Sequence, residues 1–398
     1  MPSADRPNFA QEPTNAYPAW SPRFWHGMRM GCWWRLLAKN GFRIAPSRLP
    51  IVAGVSFFSP FNDVLAILQS ALHGKRIAQT PIAKPPVFIL GHWRSGTTLL
   101  HEMLVTDPRF ACPTTYQCFA PSHFILSEAM IVRFGSFLLP EKRPMDNMAA
   151  GWQLPQEDEF ALMNLGVPTP YLRIAFPRTQ SEDLEYLSMT GLSEQELAHW
   201  RNKFLWFIRA LTYHHGGKQL VLKSPPHTGR IAELAALFPE AKFIHLTRDP
   251  RKLFQSTMRL WQSLEDVQAL QRSRSQAEMA DYVTECLNRM YAQFEAGRQQ
   301  LDSQRIVDVR YEDLVAEPVS TLCQLYQQLD LGDFSEVEPL LQQRQASHDE
   351  YRPNQHRIDP ELERDILRRW PDYAQRYGYL KTPDQHTAQH TDQLAPPR

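Results

Sequence analysis

The sequence reads as an α/β protein: a parallel sheet flanked by helices, with a helical N-terminal extension and a long insertion. Three observations predict this. Short apolar runs alternate with helix-period segments through the middle of the chain. The run Val87-Phe-Ile-Leu90 ends in Gly91, crosses a tight loop and enters a segment with Leu99, Leu100, Met103 and Leu104 on one face. A second run, Phe243 to Leu246, leads to Asp249, a good helix cap, and to Pro250, which suits a first helical position.

The elements follow in order. Residues 1–84 form an N-terminal arm and helical extension: 1–19 read as a loose arm, 22–40 and 60–74 as helices around an irregular Pro/Ser/Phe segment, and 81–86 as a linker. Trp20, Trp25, Trp33 and Trp34 cluster in this part. Packing onto the core through their rings is the simple reading, and a membrane-surface or acceptor-binding element is the alternative. The main domain spans 85–380, with a long insertion over 107–215. Its Pro-rich stretch, 107–180, is long for a connection in a compact domain and so is expected to carry function. A helix is predicted over 194–213, a strand over Gln219 to Lys223, a helix over 228–238, a strand over 242–246 and a helix over 250–263. A long helix over 276–300, a strand over 305–310 and a helix over 318–330 complete the alternation, and 381–398 are expected to be disordered. Ligands of such sheets sit beyond the carboxyl ends of the strands, where Gly91, Lys223 and Arg248 all fall.

Length and composition set the outer bounds. A chain of 398 residues suffices for one large domain with insertions or for two domains. Lys and Arg number 43 and so do Asp and Glu, so net charge gives no argument for a nucleic-acid partner. The five cysteines lack metal-ligand spacing and read as buried thiols of a cytoplasmic protein. No signal-peptide pattern opens the chain, and no run of about 18 uninterrupted apolar residues predicts a membrane span. A peripheral membrane contact and a homodimer both stay open.

The loop after Val87–Leu90 has the Gly-x4-Gly spacing of a phosphate cradle, with Gly91 and Gly96. Backbone N–H groups at the following helix start, with the helix dipole, make an anion site. A nucleoside-triphosphatase loop carries Lys next and then Ser or Thr. Here Thr97 and Thr98 follow, and the cation, Arg94, sits inside the loop. The expected ligand is a phosphorylated nucleotide whose γ-phosphate is not transferred. Arg248 at a strand end and Ser256 two turns into the next helix can converge on one phosphate.

Arg94-Ser95-Gly96-Thr97-Thr98, together with Arg248 and Ser256, resembles the sulfotransferases that use 3′-phosphoadenosine 5′-phosphosulfate (PAPS). The resemblance is to the Arg-type subgroup of bacterial sulfotransferases and tyrosylprotein sulfotransferases, over about 85–260 and more weakly to about 315. It implies a P-loop-type fold and transfer of a sulfuryl group from PAPS to a hydroxyl or amine, releasing PAP without a metal. The acceptor would be a small molecule, glycan, lipid or peptide. By the same resemblance, Arg94, Ser95, Gly96, Thr97 and Thr98 hold the 5′-phosphosulfate and Arg248 with Ser256 the 3′-phosphate. Lys223 reaches the bridging oxygen or sulfonate, and Tyr311 contacts the adenine.

Sulfuryl transfer needs cations and N–H donors where the leaving phosphate gains charge, and a base for the acceptor proton. Arg94 is the first choice for the former. The glutamate that tyrosylprotein sulfotransferases carry after the loop falls here in Cys112-Pro-Thr-Thr-Tyr-Gln117, which has no carboxylate. Glu157 and Glu159, crowded around Asp158, are the preferred substitutes, with His123 next. His227 reads as a helix-start or supporting residue. Arg357, with Arg352 and His356, belongs to a late basic loop that either closes over the 3′-phosphate or is solvated. A P-loop kinase or triphosphatase and a non-catalytic nucleotide-binding protein are the competing readings.

Overall fold

The computed structural model describes residues 17–380 apart from 19, 144–147, 180–182 and 348–358. Arg357, Arg352 and His356, most of the N-terminal arm and the tail after 380 therefore lie outside the described residues.

Five parallel strands form the sheet: β1 (Val87–Leu90), β2 (Phe110–Ala111), β3 (Gln219–Lys223), β4 (Lys242–Thr247) and β5 (Ile306–Arg310), in the order β2-β3-β1-β4-β5. β1 is central and every one of its residues is buried. Its alternating side chains feed two cores, as the period of a strand requires. Phe88 and Leu90 pack with Leu220, Leu222 and Phe243 on one face. Val87 and Ile89 pack with Val221, Ile244 and Leu246 on the other. The Phe88 and Phe243 rings stack with centroids 5.6 Å apart.

The helices Thr97–Leu104 and Pro318–Leu329 cover the second face through Leu100, Leu104, Leu322, Leu325 and Leu329. Glu194–His214, Pro250–Gln268 and Gln276–Arg298 cover the first through Phe204, Phe207, Leu253, Phe254, Leu287 and Met290. Asp249 caps Pro250–Gln268 by accepting from the Arg251 N–H, as its sequence position predicts.

Some elements depart from the expected ones, among them the helices Glu338–Ser347, Pro360–Arg369 and Pro371–Arg376 in a stretch given no element. β2 has two residues, too few for a period-2 signal to register. The segment before residue 60, expected to be irregular, belongs to one continuous helix, Leu49–Gln79, with Pro60 inside it. Contacts to Phe24–Gly27 and Met30–Lys39 hold it there and override the helix-breaking tendency of proline. By length and composition this helix is long and apolar enough to cross a membrane, although Ser59, Asn62, Asp63 and Gln69 interrupt its apolar run.

Candidate active site

The carboxyl ends of β1, β3 and β4 converge on the loop 91–96. Gly91 has φ +142°, and a Cβ there would meet Leu246 O at 2.7 Å and Ser95 Oγ at 2.6 Å. Gly96 has φ +103°, and a Cβ there would stand 2.2 Å from the Tyr311 ring. Both positions need glycine for conformation and for space. The Gly91 N–H donates to Thr228 Oγ1 at 2.8 Å, which fastens the loop to the segment after β3.

Arg94, Arg248 and Ser256 meet beside this loop. Arg94 Nε donates to Ser256 Oγ at 2.9 Å, and Arg248 Nη1 donates to the Arg94 carbonyl at 2.7 Å. The Arg248 guanidinium lies 4.2 Å from the Tyr311 ring centroid, a cation–π contact. Two buried polar atoms here, Ser95 Oγ and Arg248 Nε, have no hydrogen-bonding partner among the described residues. Buried polar groups are normally paired; Arg248 lines the cavity and Ser95 does not, so the Arg248 N–H and the backbone cradle are what suit a phosphorylated nucleotide.

A carboxylate stands at the other side of the loop helix. Lys223, buried at the end of β3, donates to Thr98 Oγ1 at 3.3 Å and to Glu157 Oε1 at 2.7 Å. The Tyr171 hydroxyl donates to the second Glu157 oxygen. Trp93 Nε1 donates to the Tyr171 oxygen at 2.8 Å. Burial, and then the Glu157 charge, push the Tyr171 phenol well above its usual value, so it remains a donor. Glu157 thus has two fixed donors and opens onto the cavity.

The neighbouring acids point inward. Arg230 grips Glu159 through two bonds, Nη1 to Oε2 at 2.5 Å and Nη2 to Oε1 at 2.8 Å, and Thr169 donates to it as well. Asp158 pairs with His227 Nε2 at 2.6 Å and accepts from Ser224 at 3.0 Å. Burial pushes the Asp158 carboxyl up, but His227 and the hydrogen bonds hold it below the usual carboxylate value. Neither Asp158 nor Glu159 reaches the cavity.

His123 is also set apart. It is buried between Ser127 Oγ, 2.9 Å from Nδ1, and Asn62 Oδ1, 3.1 Å from Nε2. Burial pushes its pKa down to about 4. It faces the N-terminal extension and does not line the cavity. The geometry therefore separates the three base candidates: Glu157 is at the cleft, while Glu159 and His123 are buried away from it. Tyr171, Trp93 and Arg230 carried no local motif. Only the clustering of Glu157 with Glu159 in a long insertion marked this region in the sequence.

One cavity of about 1010 Å³ joins these parts. Its polar end is lined by Arg94, Gly96, Thr97, Thr98, Arg248 and Tyr311. Past Glu157 it continues into a chamber walled by Phe24, Phe119, Phe160, Tyr171, Trp261 and Leu264.

Residues 85–336 match the sulfotransferase family. The chain belongs to that family. The sulfotransferase is 39% identical over 368 residues, 92% of its own length and 93% of the relative's, to the omega-hydroxy-beta-dihydromenaquinone-9 sulfotransferase Stf3 of Mycobacterium bovis. The figures for the protein of that name in Mycobacterium tuberculosis are the same. Among solved structures it is similar to sulfotransferase STF9 of Mycobacterium avium, with a TM-score of 0.59 and 17% identity over 87% of this chain and 96% of that one. Sulfotransferase STF1 of M. tuberculosis gives a TM-score of 0.59 at 16% identity, over 86% and 90%. These two structures speak for the fold alone. The enzyme is a transferase that moves a sulfuryl group to an acceptor, and its family implies PAPS as the sulfate donor.

Proposed function

We propose that this sulfotransferase moves the sulfuryl group of PAPS to the hydroxyl of a long, mainly apolar lipid, a hydroxylated menaquinone being the closest chemical description. The observation that carries the reading is the single cavity that runs from the phosphate loop, past Glu157, into an aromatic chamber. Sites for small molecules are mostly apolar with a few placed polar groups. A glycan would leave much of this chamber wall without a polar partner. The mycobacterial relatives, named for a menaquinone derivative that carries an ω-hydroxyl, support the same class.

The residues divide the work. The loop N–H groups, Arg94, Thr97 and Thr98 face the leaving 5′-phosphate and meet its growing negative charge. Lys223, bonded to Thr98, adds a cation on the same side. Glu157 takes the acceptor proton, while Tyr171 and Lys223 fix the direction of its two oxygens. Arg248 and Ser256 take the 3′-phosphate, and Tyr311 offers its ring to the base.

Two measurements test this. Labelled PAPS should sulfate an ω-hydroxylated menaquinone in detergent far faster than a tyrosyl peptide or an oligosaccharide. A preference for the peptide or the sugar would sink the acceptor assignment. For the donor, Arg248→Ala should weaken PAP, which has the 3′-phosphate, by about 1.5–3 kcal/mol, the contribution of a charge-assisted hydrogen bond. AMP, which lacks that phosphate, should be nearly unaffected. Equal losses for both ligands in calorimetry would remove Arg248 from the 3′-phosphate.

A further inference from the structure

The helix Leu49–Gln79 is inside out. Its buried positions are Val55, Ser59, Asn62, Ala66, Gln69 and Ile77, spaced at helical intervals down one face. Three of these six are polar, and they are used. Asn62 Nδ2 donates to the carbonyls of His26 at 2.6 Å and Met28 at 3.0 Å, and Gln69 Oε1 accepts from the Ile125 N–H at 2.9 Å. The outward face carries the large apolar side chains. Phe57 is 64% exposed, Phe61 55%, Ile67 61% and Leu72 63%. Phe57, Phe61, Val64, Leu68, Leu72 and Lys75 follow one another at intervals of three or four residues, a single stripe along the helix. A helix facing water has the opposite arrangement.

The apolar exposure continues on the next element. Phe124–Phe134 packs against Leu49–Gln79, and Phe134 and Phe137 at its end are 65% and 70% exposed. Two residues later Leu139 lines the cavity. Charge sets this part off from the rest of the chain. The whole sequence is neutral, yet residues 20–80 hold eight Lys and Arg against the single Asp63.

We infer that the outward face of Leu49–Gln79 lies in the surface of an anionic lipid bilayer, parallel to it, with the basic residues of this region toward the headgroups. Apolar exposure and cationic flanks are together the signature of an interfacial helix. Crossing the bilayer would strip Asn62 and Gln69 from their partners and carry them into hydrocarbon, where each unsatisfied polar group is costly. A second copy of the chain would bring together two regions with the same excess of Lys and Arg. The inference rests on this face and its charge, and it stands or falls apart from the acceptor assigned above.

The test is flotation of the full chain with vesicles of phosphatidylcholine alone or mixed equally with phosphatidylglycerol, with PAP calorimetry as the check on folding. The protein should float with the anionic vesicles. Phe57→Ser/Phe61→Ser/Leu72→Ser should lower vesicle affinity by more than about 100-fold, since each side chain loses its partitioning into the interface. Lys75→Glu/Arg76→Glu should lower it about 10-fold or more on anionic vesicles only. Both variants should bind PAP as the parent does. Three results would overturn the inference: equal flotation of the triple variant, retention of the parent protein after an alkaline carbonate wash, or absence of flotation with a dimer that the triple variant dissolves. The second would make the helix a span and the third a subunit interface.

Discussion

Glu157→Gln is expected to lower kcat by about 10^2–10^4, the usual cost of removing a general base, while PAP affinity stays within about twofold. The substitution keeps the shape of the side chain and removes its charge. Of the base candidates Glu157 is the one that lines the cavity, and its two donors, Lys223 and Tyr171, hold it there. The PAP cradle uses other residues, and the amide oxygen that replaces the carboxylate still accepts from Lys223, which keeps its bond to Thr98, so donor binding changes little. Single-turnover rates with saturating donor, beside calorimetry with PAP, separate the two quantities. His123→Asn is the control. With its pKa pushed down to about 4, the His123 ring is already neutral above about pH 5, and it lies away from the cavity. A pH–rate profile unchanged in Glu157→Gln but collapsed in His123→Asn would reverse the assignment.

Arg230→Ala is expected to cost about 3–5 kcal/mol of folding stability, because it leaves the buried Glu159 side chain without its guanidinium partner. Side chains of both residues are fully enclosed, and Arg230 also donates to the Tyr186 carbonyl at 2.6 Å. Such a loss is a large share of the 5–15 kcal/mol typical of a whole domain. Urea unfolding gives the number, and the apparent rate loss should track the unfolded fraction. The double variant Glu159→Met/Arg230→Met, which removes both charges and keeps most of the volume, should recover much of the stability. If Arg230→Ala were as stable as the parent but catalytically dead, the pair would belong to the chemistry and not to the core.

These two acids sit two residues apart, and their fates mark where the sequence was readable. The phosphate loop and the Arg248–Ser256 pair are local patterns: a strand, a turn and a helix start place those atoms whatever the rest of the chain does. The proposed base is not local in that sense. Glu157, Asp158 and Glu159 lie at one helix start, and which of them faces the cleft depends on Lys223, His227 and Arg230, which arrive from more than 60 residues away. The acids look alike until those partners are in place. The helix Leu49–Gln79 was hidden for a different reason. Amphipathic periodicity assumes that water is the outer solvent, and Phe57-Phe-Ser-Pro-Phe61 reads as a break under that assumption.

Lys223 has one ammonium and two clients, Thr98 at the donor loop and Glu157 at the acceptor chamber. The two ligands of a bisubstrate enzyme are thereby connected through a shared atom, and any pull on it from one end is felt at the other. Such coupling is reciprocal at equilibrium: whatever factor a bound nucleotide applies to the affinity of the acceptor, the acceptor returns to the nucleotide. With the proposed roles of the two ends, the stability of a complex of PAP with unreacted acceptor would then depend on this single side chain as well as on either pocket.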